Sequence, residues 1–189
     1  MTAHHTTTHP PTLTGAELQT LREACHLSRD ELGQLCDVAA RTVKHWENGR
    51  AGVPADVAAL VARLDATIQR AADQGADVIG AGVLAHGGAA PADVVLIRYR
   101  TAEDLARYRP DMAGQPAAVH GAIVARLAAL MRGNIPAPVR IVWMNPADYE
   151  AWRFHRQQPD SEATRAAWAA DQLTAQAIPH RADQPPPGV

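Results

Sequence analysis

The chain has 189 residues, with 20 acidic and 18 basic side chains, two cysteines and a net charge of −2. This length suits one domain or two small ones, and two cysteines exclude a scaffold held together by disulfides. Aromatic residues make up 4% of the chain although 47% of it is hydrophobic, so we expect a core of small side chains in closely packed helices. No stretch of about 18 consecutive apolar residues is present, which excludes a membrane-spanning helix. We therefore expect a cytoplasmic protein.

The N-terminal part of the chain carries strong helix signals. Residues 1–12 are rich in Thr, His and Pro and predict a disordered tail. Thr14 to Glu17 and Ser28 to Glu31 are capping boxes, in which the first residue caps a helix and the Glu returns a hydrogen bond. A third helix is predicted at about 39–48, and Pro54 suits the first turn of a fourth. Residues 13–74 are therefore predicted to form a domain of four to five helices.

The second half of the chain has a different composition. Residues 75–92 are either an extension of the fourth helix or a linker, and both alternatives stay open. Residues 93–178 combine two β-branched stretches, at 94–99 and 139–144, with several capped helices, and residues 179–189 are a loose, proline-rich tail. The predicted fold class is mainly α, with a helical N-terminal domain and a small α+β C-terminal domain.

Residues 27–49 meet the physical demands of a helix-turn-helix. Gly33 lies where the second and third helices would cross, and a buried wedge between the helices is predicted to consist of Leu32, Leu35, Val38, Val43 and Trp46. The remaining face of the third helix presents Arg41 and Lys44, and Lys44 is the only lysine in the chain. Side chains of this kind can enter a DNA major groove. On an isolated helix, the same side chains would more simply be explained as a polar face that is exposed to solvent and binds nothing.

From residue 14 to about 62 the chain resembles the Cro/repressor-like (XRE-type) helix-turn-helix family. The resemblance rests on an L-R-x-x-x-x-L-S opening at residues 21–28 and a T-V-x-x-W-E-x-G ending at residues 42–49. It implies that Arg29 touches a phosphate and that Arg22 forms a structural ion pair with Glu47. Ala39 stands where the family usually has a capping Ser or Thr, so we expect the cap from Asp37. Cys36 and Asp37 replace a Leu-Gly turn of the family, so the resemblance also implies a left-handed conformation at Asp37.

These features define a set of expected DNA contacts, which are Arg29, Ala40, Arg41, Thr42, Lys44, His45, Asn48 and Arg50. Residues 14–50 nevertheless hold five basic and six acidic side chains. The placement of the basic residues must therefore matter more than their number. We expect a selective binder of double-stranded DNA with a modest dependence on salt.

The overall layout is similar to the YdiL-like and anti-CRISPR-associated regulators, which join a helix-turn-helix to a C-terminal dimerisation domain. The resemblance implies an autoregulatory repressor that binds an inverted repeat as a homodimer. In the C-terminal domain, aromatic residues are either core or dimer contacts, and we assign to the dimer interface Tyr99, Tyr108, Trp143 and Trp152. Two alternatives stay open, an antitoxin that binds a toxin protein and an RNA-binding translational repressor. No nucleophile–base pair or metal-ligand spacing is present, so we expect neither an enzyme nor a cofactor.

Overall fold

The computed structural model describes residues 12–85, 87–88 and 91–177. This part of the chain is mainly helical with one small sheet, as predicted. A short 3-10 turn covers Pro110–Met112. The remaining elements are, in chain order, α1 (Gly15–Ala24), α2 (Arg29–Leu35), α3 (Ala40–Glu47), α4 (Ala55–Ala85), β1 (Val94–Arg98), α5 (Ala102–Tyr108), α6 (Ala117–Asn134), β2 (Val139–Trp143), α7 (Pro146–His155) and α8 (Glu162–Ala177).

The first helices begin where the capping residues predict. The Thr14 and Ser28 hydroxyls accept hydrogen bonds from the backbone N–H of Glu17 and Glu31, and each Glu side chain returns the bond, which completes both boxes. Helices α1 to α4 enclose one apolar cluster, whose buried members are Leu18, Leu32, Val43, Trp46, Val57 and Val61. The cluster holds α3 against α1 and α2.

Helix α4 continues without a break from Ala55 to Ala85, through residue 74, where the first domain was predicted to end. Helix α6 packs along it and completes a second apolar cluster, which joins the turn after α1 to both long helices; its buried members are Cys25, Leu27, Leu64, Ile68, Val119, Ala122 and Ile123. The two halves of the chain thus share a core.

Strands β1 and β2 form a parallel two-stranded sheet in which Val94 pairs with Val139 and Arg98 pairs with Trp143. Val94 and Leu96 pack against α6 on one face of the sheet. Val142 packs on the other face in a cluster that includes Trp168 of α8. The sheet is therefore sandwiched between two helices.

Two of the residues assigned to a dimer interface lie instead in the apolar cluster that contains Val142 and Trp168. Tyr99 and Tyr108 are buried, with ring centroids 6.1 Å apart, and Tyr108 meets Tyr149 edge to face at 5.6 Å. A side chain enclosed by its own protomer offers no surface to a partner, so their assignment to the interface was wrong.

Two further predictions concern the two tails of the chain and the absence of a membrane-spanning helix. The predicted tails at 1–12 and 179–189 lie outside the described residues, apart from Thr12. Across the part of the chain that the structure describes, each helix is too short or too polar to cross a bilayer.

Candidate nucleic-acid interface

The turn between α2 and α3 requires two unusual backbone positions. A Cβ atom on Gly33 would lie 2.6 Å from the carbonyl oxygen of Val38, so only glycine allows this approach of the two segments. Asp37 has φ of 54°, in the left-handed region, as expected. Ala39 is the N-cap of α3 and no side-chain cap is formed, so the expectation that Asp37 caps this helix was wrong. Asp37 lies two residues before the N-cap, at an exposed turn.

Helix α3 separates apolar from polar side chains. Val43 and Trp46 are buried in the core, whereas the opposite face of the helix exposes Arg41, Lys44 and His45. Of the other predicted contacts, Ala40 and Thr42 are half-buried, and Asn48 and Arg50 are exposed just after the helix. Gly49 ends the helix with φ of 69°. The exposed face of α3 is therefore continuous from its first turn to the turn that follows it.

Glu47, at the end of α3, is held by two arginines from other helices. The Nε atoms of Arg22 and Arg29 each donate to one of its carboxylate oxygens, at 2.6 Å. Burial alone would raise the pKa of Glu47, but the hydrogen bonds and charges of the two guanidinium groups prevail and lower it. One negative charge thus faces two positive ones, and the side chain of Arg29 stays 40% exposed.

A shallow depression of about 530 Å³ brings the predicted basic residues together. Arg29 lines it from the start of α2, and Arg41 and Lys44 line it from α3. Glu23 and Asp30 also line it, so two acidic side chains lie among its basic residues. The structure therefore places the expected phosphate contact beside the expected base contacts on one surface.

Gly15, at the start of α1, carries a constraint that the sequence alone did not reveal. A Cβ atom there would overlap the backbone carbonyl oxygens of Trp46 and Glu47. The close approach lets α1 rest on the end of α3. The sequence signal was a glycine in the first turn of a helix, where alanine would be the better helix former.

The cysteines belong to the structural part of the domain. Cys25 is buried in the cluster shared with α6, and burial, together with the charge of Asp65, raises its pKa to about 11. Cys36 is half-buried, and burial also raises its pKa. High pKa values keep both thiols protonated, which supports the interpretation as small core residues over a redox switch.

The remaining predicted site residues lie far along the chain. Trp143 is 43% exposed, on β2, with the guanidinium carbons of Arg98 and Arg100 at 4.9 and 4.4 Å from its ring centroid. Trp152 is half-buried, and its indole N–H donates to Asp171 of α8 at 2.9 Å. Of the four aromatic residues assigned to an interface, Trp143 is the one with a well-exposed ring.

Residues 14–73 match the family model of a helix-turn-helix domain. The match covers α1 to α3 and the larger part of α4, and it supports a DNA-binding regulator. A comparison with curated proteins gave no match.

Proposed function

We propose that this chain, which carries a helix-turn-helix domain, is a sequence-specific transcriptional repressor that controls its own expression. The observation that carries the proposal is the exposed face of α3. Its opposite face is anchored by Val43 and Trp46, so Arg41 and Lys44 are presented by a helix with a fixed orientation. An α-helix fits the major groove of B-DNA, and such a helix reads base edges there.

The chemistry of the exposed residues supports distinct roles. Arg41 has the planar, bidentate donor set that suits O6 and N7 of guanine. Lys44, three residues later, lies on the same side of the helix and extends the contact along the groove. Arg29, which lines the same depression from the start of α2, is suited to a backbone phosphate, and such a contact fixes the position of the domain without reading sequence.

The charge balance favours selectivity over general affinity for DNA. Glu47 forms ion pairs with Arg22 and Arg29, and Glu17 accepts a hydrogen bond in its capping box. The negative charges of these two carboxylates therefore only partly offset the positive charge of the basic surface. A single helix-turn-helix nevertheless buries little surface. We propose that the protein acts as a homodimer on an inverted repeat, whose half-sites are separated by about 34 Å, one helical turn of DNA.

The test begins with selection of bound sequences from a pool of random duplexes. Fluorescence anisotropy then compares the wild type with Arg41→Ala on the selected duplex. We expect Arg41→Ala to weaken binding by about 1–3 kcal/mol and to relax the preference at one base position. Arg132→Ala, an exposed arginine on α6, is the matched control and should bind as the wild type does. Unchanged binding by Arg41→Ala would show that α3 does not read the sequence.

A further inference from the structure

Among the residues that the structure describes, no strand pairs with the edge of β2 that faces away from β1, and the direction of the backbone groups of β2 can be assigned. The N–H of Met144 donates to the Arg98 carbonyl at 2.8 Å, and the Pro138 carbonyl accepts from Val94 at 2.9 Å, so these positions of the chain point toward β1. Backbone groups alternate in direction along a strand. Val139, Ile141 and Trp143 therefore point their N–H and C=O groups away from β1, along the outer edge of the sheet.

The same three residues carry apolar side chains on one face of the sheet. Ile141 is 44% exposed and Trp143 is 43% exposed, whereas Val139 is half-buried. An exposed strand edge that also displays large apolar side chains is a template for pairing with another strand. The outer edge of β2 has both properties.

A groove of about 830 Å³ runs beside β2, and it contains opposite charges. Arg140 lines it near the start of the strand. Asp104, Asp148 and Arg100 line it together with the residues that follow the strand's other end, and the Arg100 guanidinium lies over the ring of Trp143. Within the described ranges of the chain, Arg140, Asp104 and Asp148 form no ion pair. The groove thus has one positive charge near the start of β2 and, from two carboxylates and one guanidinium, a net charge of −1 at its other end.

We propose that β2 pairs in the antiparallel direction with β2 of a second copy of this chain, about a two-fold axis at Ile141. The result is one continuous sheet with the strand order β1–β2–β2–β1. This inference rests on the proposed function, which includes a homodimer. It names the interface through which the two copies associate.

The register follows from the backbone directions. With the axis at Ile141, this residue lies opposite the partner's Ile141, and Val139 lies opposite the partner's Trp143. The outward N–H and C=O groups of all three residues then form hydrogen bonds across the interface. An axis at Arg140 would place two like charges opposite each other at a Cα separation of about 4.5 Å. An axis at Val142 would leave Val139 opposite the partner's Asn145, outside the strand.

Charge complementarity supports a second copy of this chain as the occupant. In an antiparallel pair, the start of one strand lies beside the end of the other. Arg140 would then approach the end of the partner's groove whose net charge is negative, and the reciprocal contact would form by symmetry. The two ends of the groove therefore complement each other when the strand pairs with itself.

The mass of the full chain in solution tests the interface. We expect the wild type to have twice the 20.2 kDa of one chain by light scattering, and Ile141→Lys to have half the mass of the wild type. Lysine at an exposed edge position blocks strand pairing and leaves the bonds to β1 intact. Phe154→Lys, at an apolar residue of α7 that is 79% exposed, is the matched control and should remain dimeric. A monomeric wild type, a dimeric Ile141→Lys or a monomeric Phe154→Lys would overturn the inference.

Cysteine cross-linking tests the register and does not depend on a disruptive variant. Ile141→Cys should be cross-linked to its own copy by a short thiol-reactive linker, because the residues of a hydrogen-bonded antiparallel pair have Cα atoms about 5.5 Å apart and Cβ atoms about 5.5 Å apart, more than the roughly 4.5 Å that a disulfide spans. Trp143→Cys alone should not cross-link, whereas a mixture of Val139→Cys and Trp143→Cys chains should. The wild type, with Cys25 and Cys36, gives the background. Cross-linking of Trp143→Cys to itself, or none at Ile141→Cys, would overturn the proposed register.

DNA titrations separate failure of this interface from failure of the proposed function. Arg41→Ala should remain dimeric and bind the selected duplex more weakly than the wild type does. Ile141→Lys should keep its folded circular dichroism spectrum, bind a single half-site as the wild type does and lose the advantage of a paired site. If Ile141→Lys bound a paired site as tightly as the wild type, β2 would not be the interface, and the role of α3 would still stand.

Discussion

The Nε atom of Arg22 lies 2.6 Å from the Oε1 atom of Glu47, and both side chains are buried. This ion pair joins α1 to the end of α3. A second donor of the same guanidinium group, Nη1, bonds the carbonyl oxygen of Leu27 at 2.7 Å, in the turn before α2. One side chain therefore connects all three helices, and the direction in which α3 presents its exposed face depends on it.

Removal of the carboxylate should destabilise the protein strongly. Glu47→Ala removes the buried counter-ion of the Arg22 guanidinium and leaves it with the exposed carboxylate of Glu23, and we expect a loss of about 3–5 kcal/mol in the free energy of unfolding. Urea titration followed by tryptophan fluorescence measures this change. Glu23→Ala removes an exposed partner of Arg22, 3.3 Å away, and should cost at most about 1 kcal/mol. Equal losses in the two variants would contradict the structural role of Glu47.

The crossing of α2 and α3 gives a second prediction about stability. Gly33→Ala places a Cβ atom 2.6 Å from the backbone oxygen of Val38, which has no side-chain freedom to move away, so we expect a loss of about 1–3 kcal/mol. Gly80→Ala is the matched control on α4. A Cβ atom there meets nothing within 4 Å, and alanine should stabilise the helix by about 0.5–1 kcal/mol. Thermal unfolding of both variants should give shifts of opposite sign.

Local signals made the helix-turn-helix predictable from the sequence. A capping box needs residues three apart, and the left-handed turn at Asp37 and the tight crossing at Gly33 each depend on a few neighbouring residues. Their conformations follow from short-range sterics and hydrogen bonding. For that reason α1 and α2 begin directly after the predicted caps Thr14 and Ser28, and α3 agrees with the expected range 39–48 within one residue at each end.

Long-range packing was not predictable in the same way. Apolar spacing predicts that a helix has a buried face, but it does not identify the element that covers it, so the contribution of α6 to the first domain emerged only from the structure. The same applies to Tyr99 and Tyr108, whose arginine-rich surroundings in the sequence are typical of an interface. Continuation of α4 past Gly75 was ambiguous because glycine disfavours helices. In the structure, Leu127 of α6 packs against that glycine.

Arg29 combines a structural contact with an expected phosphate contact. Arg29→Ala should weaken binding to the selected and to a scrambled duplex alike, and the slope of log affinity against log salt should fall in magnitude by about 0.9 for each phosphate that the variant no longer neutralises. Arg29→Lys keeps the charge and should keep the slope. Anisotropy titrations at several salt concentrations measure both. A weakening confined to the selected duplex would instead assign base recognition to Arg29.

His120 is a buried histidine on α6 with an unusual electrostatic environment. It meets the ring of Tyr99 edge to face at 5.0 Å, and its Nδ1 atom has no hydrogen-bond partner among the described residues. Burial, followed by the charge of Arg109, lowers its pKa to about 4, against the opposing carboxylate of Asp111. The ring is therefore neutral in the folded protein at pH values where it is protonated in the unfolded chain.

This difference makes stability depend on pH with a defined sign. Between pH 6.5 and about 4 the unfolded chain binds a proton that the folded protein does not bind, so the folded state loses stability as the pH falls through this window. The total contribution of His120 is about 3 kcal/mol. His120→Phe keeps an aromatic ring beside Tyr99 and cannot be protonated, so urea titrations should show a flatter dependence of stability on pH for this variant. His155→Phe, at an exposed histidine of α7, controls for the loss of a histidine. Parallel curves for the wild type and His120→Phe would mean that His120 is protonated equally in both states.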